Sequence, residues 1–212
     1  MKDKKQGMNL PNKLTVLRII LVPVFIVIMM LPQSVLDWKW SALIGAAIFT
    51  IASLTDMLDG KIARKYNLVT DFGKLMDPLA DKFMVIGALT AIVYRVIYSK
   101  LLLTLFAIAL LVVIFRELAV TSLRLVASSS SGVVVAANML GKIKTVTQIV
   151  CVVAALVEPV IYSIPDVAGA LPTWVPQYPP MTLTFCALMI VFTVWSGINY
   201  FIGMWKYLDP QK

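Results

Sequence analysis

The chain has no histidine. That removes imidazole acid–base catalysis and most zinc sites, so any general base must be a carboxylate. Carboxylates are themselves scarce, at 11 in 212 residues. There are two cysteines, Cys151 and Cys186, and both fall inside apolar runs. Two isolated thiols do not make a disulfide framework. No internal repeat, low-complexity segment or cleavable leader stands out; the first apolar run follows a basic, polar segment and lacks a small-residue cleavage site. No tract of cations interleaved with aromatics is present either. The net charge of +8 comes from residues flanking apolar segments, which suits anionic lipid headgroups and argues against nucleic acid.

Apolar residues dominate what remains: 60% of the chain, with a mean hydropathy of +0.88. Apolar stretches at 14–32, 40–58, 73–98, 101–123, 139–165 and 181–206 are each near the ~20 residues needed to cross a bilayer. The expected fold is therefore all-α and integral to the membrane, with six transmembrane helices in a single domain, 1–212. Residues 1–13 form a basic interfacial N-terminal segment. An even number of spans puts both termini on one side. With that side cytoplasmic, all but Lys39, Arg95 and Lys100 of the nineteen cations lie inside. The expected location is the plasma membrane, multi-pass, with both termini cytoplasmic.

Against this background the acids are concentrated. Four of the eleven lie in the pattern D-x2-D-G-x2-A-R-x8-G-x3-D-x3-D, formed by Asp56, Asp59, Gly60, Ala63, Arg64, Gly73, Asp77 and Asp81. A carboxylate at membrane depth is costly and marks a functional site by default. Asp56 and Asp59 are spaced i, i+3, and Asp77 and Asp81 i, i+4, so each pair shares a helix face. Two such faces can form an oxygen-rich pocket of the kind Mg²⁺ or Mn²⁺ prefers. Gly60 allows a bulky ligand to approach the backbone, Arg64 offers a planar fork for phosphate, and Thr70 adds a hydroxyl. A cation channel or transporter would account for carboxylates alone. A metal-bridged phosphate ester also accounts for Gly60 and Arg64.

This pattern resembles the signature of the CDP-alcohol phosphotransferase family, with every position filled. The resemblance implies a membrane enzyme with a metal-lined polar cavity facing the cytoplasm, where CMP is displaced from a CDP-linked lipid by an alcohol. It implies two divalent ions, with Asp56, Asp59 and Asp77 as metal ligands and Asp81 as both ligand and base. Gly60, Ala63, Arg64, Thr70 and Gly73 would contact the CDP-lipid. Family members often enter the first helix through Pro-Asn-x-Leu-Thr-x-x-Arg; here Pro11, Asn12, Thr15 and Arg18 occupy it, adding Asn12 and Thr15 as candidate CDP-lipid contacts or as simple capping groups. A homodimer is expected on the same ground.

A second cluster bears on the alcohol. Arg116-Glu117-Leu118 and Arg124 precede Gly141-Lys142-x-Lys144-Thr145-x-x-Gln148. Cations at a cytoplasmic boundary need no explanation beyond orientation. Arg116 and Glu117, however, end an uncharged run, and Glu117 is suited to orient an arginine. Arg116, Arg124, Lys142 and Lys144 are the candidate acceptor-phosphate residues. The cluster resembles the branch of the family that uses glycerol 3-phosphate, although that branch more usually has an aromatic or isoleucine at Leu118. The expected reaction is CDP-diacylglycerol plus sn-glycerol 3-phosphate giving phosphatidylglycerophosphate and CMP. Cardiolipin synthase and inositol phosphate-type synthases share the aspartates and are the alternatives. The resemblance covers about residues 9–150, with the last helix matching only in hydropathy.

Smaller features carry structural expectations. Asp71 should cap the third helix, and Ser128–Ser131 before Gly132 should be a loop or helix break. Gly45, Gly87 and Gly197 should allow close helix contact. Prolines 159, 165, 172, 176, 179 and 180 should mark an external loop, with Trp174 and Tyr178 as interfacial anchors.

Overall fold

A computed structural model describes residues 9–65, 70–131 and 139–205; within these, the side chains of residues 11, 57–65, 71, 72, 74 and 127–131 are outside the description. Seven helices follow one another: α1 Leu10–Met30, α2 Trp38–Lys65, α3 Asp71–Arg95, α4 Lys100–Ser131, α5 Met139–Tyr162, α6 Pro165–Ala170 and α7 Pro180–Met204. No strand occurs among the described residues. Five helices (α1, α2, α4, α5 and α7) are long and apolar enough to cross a membrane, which makes this a multi-pass membrane protein. Six spans were expected. The sixth candidate, α3, has the length at 25 residues, but Lys74, Asp77, Asp81 and Lys82 charge its first half.

The chain divides into two compact units, residues 1–91 and 92–212. In the first, α1 begins where the Asn9 side chain accepts a hydrogen bond from the Asn12 amide at 3.1 Å, with a proline in the opening turn. Its buried positions are Asn12, Thr15, Arg18, Val22, Phe25 and Met29, spaced three or four apart. That stripe is polar in its first half and apolar in its second. The apolar half packs tightly: a Cβ at Gly45 of α2 would lie 2.6 Å from Met29 Sδ, and one at Gly87 of α3 would lie 3.1 Å from Val22 and Ile26. Both glycines thus permit close helix contact, as expected.

The start of α3 is capped by a different residue from the one anticipated. Thr70 Oγ1 accepts from the Gly73 amide at 3.1 Å, while Asp71 is the first helical residue. A hydroxyl one residue earlier reaches the N3 amide and takes the capping role.

In the second unit, α7 packs on both α4 and α5. Its buried positions Thr182, Cys186, Met189, Thr193 and Ser196 alternate by four and three, a continuous stripe along one face. Cys151 and Cys186 meet there as free thiols. The other end of this contact is tied by Glu158 of α5, buried at 2% exposure. Its carboxylate accepts from the amides of Met181 and Thr182 at 2.9 and 2.6 Å, the Thr182 hydroxyl at 2.6 Å and the Tyr162 hydroxyl at 2.5 Å. A carboxylate at the positive end of α7 satisfies amides that would otherwise be orphaned in an apolar medium.

Two expectations need correction. The Ser128–Ser131 run is the last turn of α4 and not a break. Serine is only mildly unfavourable in a helix, so a helix already propagating continues through it. Pro159 lies in the last turn of α5, outside the loop. Near a helix end it disturbs few backbone bonds. The loop proper starts after Tyr162, contains α6, and exposes Trp174 and Tyr178.

Candidate active site

The polar half of α1 gathers the first set of candidate residues. Arg18 is 1% exposed, and its Nη1 lies 2.6 Å from Asp56 Oδ1 of α2. One turn earlier on the same stripe, the Thr15 hydroxyl donates to Asp77 Oδ1 of α3. A turn before that, Asn12 Oδ1 accepts from the Thr70 hydroxyl at 2.9 Å. Three groups on one face of α1 thereby hold two aspartates of the motif and Thr70, which lies between them in sequence. Asp81 follows Asp77 by one helical turn on α3 and is partly buried.

Gly73 fits this arrangement through its lack of a side chain. A Cβ there would lie 3.0 Å from Asn12 Oδ1, 3.3 Å from Thr70 Oγ1 and 3.7 Å from Asp77 Oδ2. The structure therefore brings together Asn12, Thr15, Thr70, Gly73 and Asp77, with Asp56 attached through Arg18. Asp59, Gly60, Ala63 and Arg64 continue the α2 helix from Asp56, and their side chains lie outside the described residues.

The donor set suits a hard divalent cation. Asp56 and Asp77 are carboxylates on neighbouring helices, each held by a hydrogen-bond donor from α1. Metal-ligating carboxylates are typically oriented in this way by a second layer of donors. Among the described residues no group of three acidic or sulfur ligands converges. Asp59, the remaining member on α2, falls outside that description.

Arg18 is the residue that sequence reasoning missed as part of the site. Its signal was available: it is the lone cation in an apolar run, three residues after Thr15. A buried charge of this kind needs an opposite partner, and the motif carboxylates were the candidates.

The second candidate set lies within residues 92–212. Arg116 Nη1 donates to Glu117 Oε1 at 3.0 Å, and Nη2 donates to Ser196 Oγ of α7 at 2.7 Å. Lys144 of α5 also donates to Glu117 Oε1, so a single carboxylate joins two cations from different helices. The expectation that Glu117 orients an arginine matches this geometry. Arg124 donates from Nε to the Tyr200 hydroxyl at 3.0 Å, and its guanidinium carbon lies 5.2 Å from that ring's centroid.

Lys142 stands apart. It is exposed on α5, two residues from buried Lys144 and so on another side of the helix. Gln148, one turn beyond Lys144, is 1% exposed, and among the described residues neither side-chain amide atom has a hydrogen-bond partner. Beside Arg116, an apolar hollow of about 250 Å³ opens between α4 and α7, lined by Phe115, Val120, Leu123, Thr193 and Phe201 among others. The arrangement presents the held Arg116 guanidinium next to an apolar wall, a setting in which a phosphate ester is bound more strongly than in water.

Comparison with known proteins bears on both sets. A protein of Bacillus subtilis (strain 168) named CDP-diacylglycerol–glycerol-3-phosphate 3-phosphatidyltransferase is 42% identical over 215 residues, covering 96% of this chain and 99% of the relative. Proteins of the same name from Salmonella typhimurium and Escherichia coli (strain K12) are 35% and 34% identical over 193 residues, covering 91% of this chain and 92% of each relative. The family model for CDP-alcohol phosphatidyltransferase matches residues 8–205, extending the likeness beyond residue 150 and through α7. The chain belongs to the CDP-alcohol phosphatidyltransferase family.

Proposed function

We propose that this protein transfers the phosphatidyl group of CDP-diacylglycerol to sn-glycerol 3-phosphate, giving phosphatidylglycerophosphate and CMP. The observation that carries the chemistry is the holding of Asp56 and Asp77 by Arg18 and Thr15. It supports a carboxylate pocket arranged in advance for cations. The choice of alcohol is supported by the shared name of the relatives and by the held cations Arg116 and Lys144.

In this reading Asp56, Asp59, Asp77 and Asp81 hold two divalent ions, Mg²⁺ or Mn²⁺. Bound there, such ions polarise pyrophosphate oxygens and neutralise developing charge. Asn12, Thr15, Gly60, Ala63, Arg64, Thr70 and Gly73 contact the CDP-lipid, and the small Gly73 leaves room for it beside Asn12 and Thr70. Arg116, Arg124 and Lys144 bind the phosphate of the acceptor, and the exposed Lys142 adds only a weak attraction from farther away. An Asp81 carboxylate oxygen takes the proton from the glycerol 1-hydroxyl. The glycerol 1-oxygen, relieved of that proton, forms the new bond to the lipid-bearing phosphorus, and the bond to CMP breaks with its electron pair leaving on CMP. Positioning and charge stabilisation supply the catalysis, and no protein nucleophile is needed.

The membrane arrangement follows from the same proposal. With α3 as the sixth span, both termini lie in the cytoplasm of a plasma-membrane protein, and the aspartate motif meets cytoplasmic substrates. The protein acts as a homodimer among anionic lipids. On a cysteine-free background, labels near Asp166 should react from outside, and labels near Lys65 only after permeabilisation. The reverse pattern would overturn this orientation.

The reaction is tested with purified protein, CDP-diacylglycerol, Mg²⁺ and one labelled acceptor at a time: glycerol 3-phosphate, phosphatidylglycerol or an inositol phosphate. Product from glycerol 3-phosphate alone is the expected result. Turnover only with another acceptor would reassign the substrate within the family, and CDP-independent cation flux would replace the enzymatic reading.

A further inference from the structure

We propose that α7 is the positioning element of the acceptor site, with Ser196 and Tyr200 setting the two arginines that receive the acceptor phosphate. The inference rests on the acceptor role given above to Arg116 and Arg124. It adds two residues from a helix whose apolar sequence offers no charged group of its own.

The geometry is specific. The two terminal nitrogens of Arg116 are held on different helices, Nη1 by Glu117 of α4 at 3.0 Å and Nη2 by Ser196 of α7 at 2.7 Å. Two anchors on a planar group fix the plane as well as the position. The stem is constrained too: a Cβ at Gly197 would lie 3.2 Å from Arg116 Cγ, so the arginine lies against the α7 backbone. Two turns along α4, Arg124 meets Tyr200, one turn beyond Ser196 on α7. The hydroxyl accepts a hydrogen bond from Arg124 Nε, and the ring lies beneath the guanidinium. Residues i and i+8 of one helix are thus matched to i and i+4 of its neighbour.

An arginine free to rotate would have to be ordered when phosphate binds, at a cost in affinity. Held in place beforehand, it meets the dianion with that ordering already done. Ser196 and Tyr200 therefore act through the arginines, without touching the substrate. Their loss should weaken acceptor binding and leave the chemical step alone. A hydroxyl that merely satisfied an arginine's hydrogen-bonding in an apolar region would instead affect stability.

A double-mutant cycle separates these roles. Wild type, Ser196→Ala, Arg116→Gln and the double variant are compared for KM of glycerol 3-phosphate, kcat and thermal unfolding in detergent. Arg116→Gln should raise KM roughly tenfold, as expected for one charge-assisted hydrogen bond. Ser196→Ala should raise it about threefold to tenfold with kcat nearly unchanged, and Ser196→Thr, which restores the hydroxyl, should recover most of the loss. The double variant should be no worse than Arg116→Gln, since Ser196 acts only through that residue. Tyr200→Phe, keeping the ring, should fall between wild type and Tyr200→Leu, and it repeats the test against Arg124→Gln should Ser196→Ala fail to fold. An unchanged KM in Ser196→Ala and Tyr200→Leu beside a raised KM in Arg116→Gln would overturn the positioning role alone. Fully additive losses would overturn it as well. An unchanged KM in Arg116→Gln would instead remove the acceptor reading on which it rests.

Discussion

Among the described residues of 1–91 the buried charge is a cation, Arg18, with the Asp56 carboxylate against it. In residues 92–212 the pattern is inverted: Glu117, 8% exposed, is the anion that gathers Arg116 and Lys144. A hydroxyl accompanies each, Thr15 with Asp77 and Ser196 with Arg116. Charge at membrane depth is tolerated only when paired or fully hydrogen-bonded, and at these two clusters each unit supplies an opposite charge together with a small polar group. The source of that support differs. In the first unit it comes from α1, upstream of the motif it holds. In the second it comes from α4 itself and from α5 and α7 downstream. The site residues are therefore fixed by helices that carry few obvious functional residues.

The sharpest way to break the comparison is to remove a group that reacts and compare it with groups that hold. Asp81→Asn should lower turnover by about 10²–10⁴, the usual worth of a general base, with CDP-lipid binding largely retained. Chelation with EDTA should abolish activity, and Mg²⁺ or Mn²⁺ should restore it. Asp59→Asn with wild-type turnover in the presence of EDTA would refute the two-metal proposal.

Next in size is the loss of the central charges. Glu117→Gln removes the anion that Arg116 and Lys144 share, and Asp56→Ala removes a carboxylate held against buried Arg18. Each should destabilise the protein by on the order of 3 kcal/mol, read as unfolding in detergent. Arg18→Leu should cost less, because the Asp56 side chain is 35% exposed and can hydrate. Equal losses for Asp56→Ala and Arg18→Leu would show that exposure does not distinguish the two partners.

The sequence was most readable where function requires particular residue types at fixed spacing. The aspartates stood out because carboxylates are rare in this chain, and i, i+3 and i, i+4 spacing is visible without a structure. Long apolar runs gave the long helices but not all their ends, since α2 and α4 continue well past residues 58 and 123, and the charges in the first half of α3 blur its reading as a span. Contacts between helices distant in sequence were not readable. Nothing local says that Ser196 meets Arg116 eighty residues earlier, or that Glu158 caps α7 and not its own helix. Serine, threonine and tyrosine are ordinary in an apolar helix, so α7 looked like a plain span. Glu158 did carry a signal, being an acid in an apolar run, and the structure gives it a holding role at the start of α7.

A milder perturbation tests packing at the carboxylate pocket. Gly73→Ala puts a methyl 3.0 Å from Asn12 Oδ1 and 3.3 Å from Thr70 Oγ1, two atoms already hydrogen-bonded to each other. Neither can move without loosening that bond, so a cost of about 1–3 kcal/mol is expected, as for overpacking elsewhere. It should emerge mainly as a raised KM for CDP-diacylglycerol, with glycerol 3-phosphate little affected. Gly45→Ala is the control, since its methyl crowds Met29 and Phe25 in the apolar half of the stripe and should cost stability without raising that KM. If Gly73→Ala leaves the CDP-diacylglycerol KM unchanged, the space beside Asn12 is not part of the lipid-nucleotide site.

The smallest effect should come from Lys142, and its size decides how the acceptor cations are ranked. Lys144 is 6% exposed and tied to Glu117, whereas Lys142 lies on an exposed side of α5. A solvated ammonium interacts weakly with a distant dianion, and at physiological salt its field is screened within about 8 Å. Lys142→Gln should therefore raise the KM for glycerol 3-phosphate by only about twofold, and added salt should erase the difference. Lys144→Gln should act more strongly and persist in salt, because it changes the charge Glu117 shares with Arg116 in a buried setting. A salt-resistant rise of tenfold or more in Lys142→Gln would show Lys142 gripping the phosphate directly. The buried, held cations would then lose their claim to be the principal acceptor contacts, and the contrast between exposed and paired charge would no longer rank the residues of this unit.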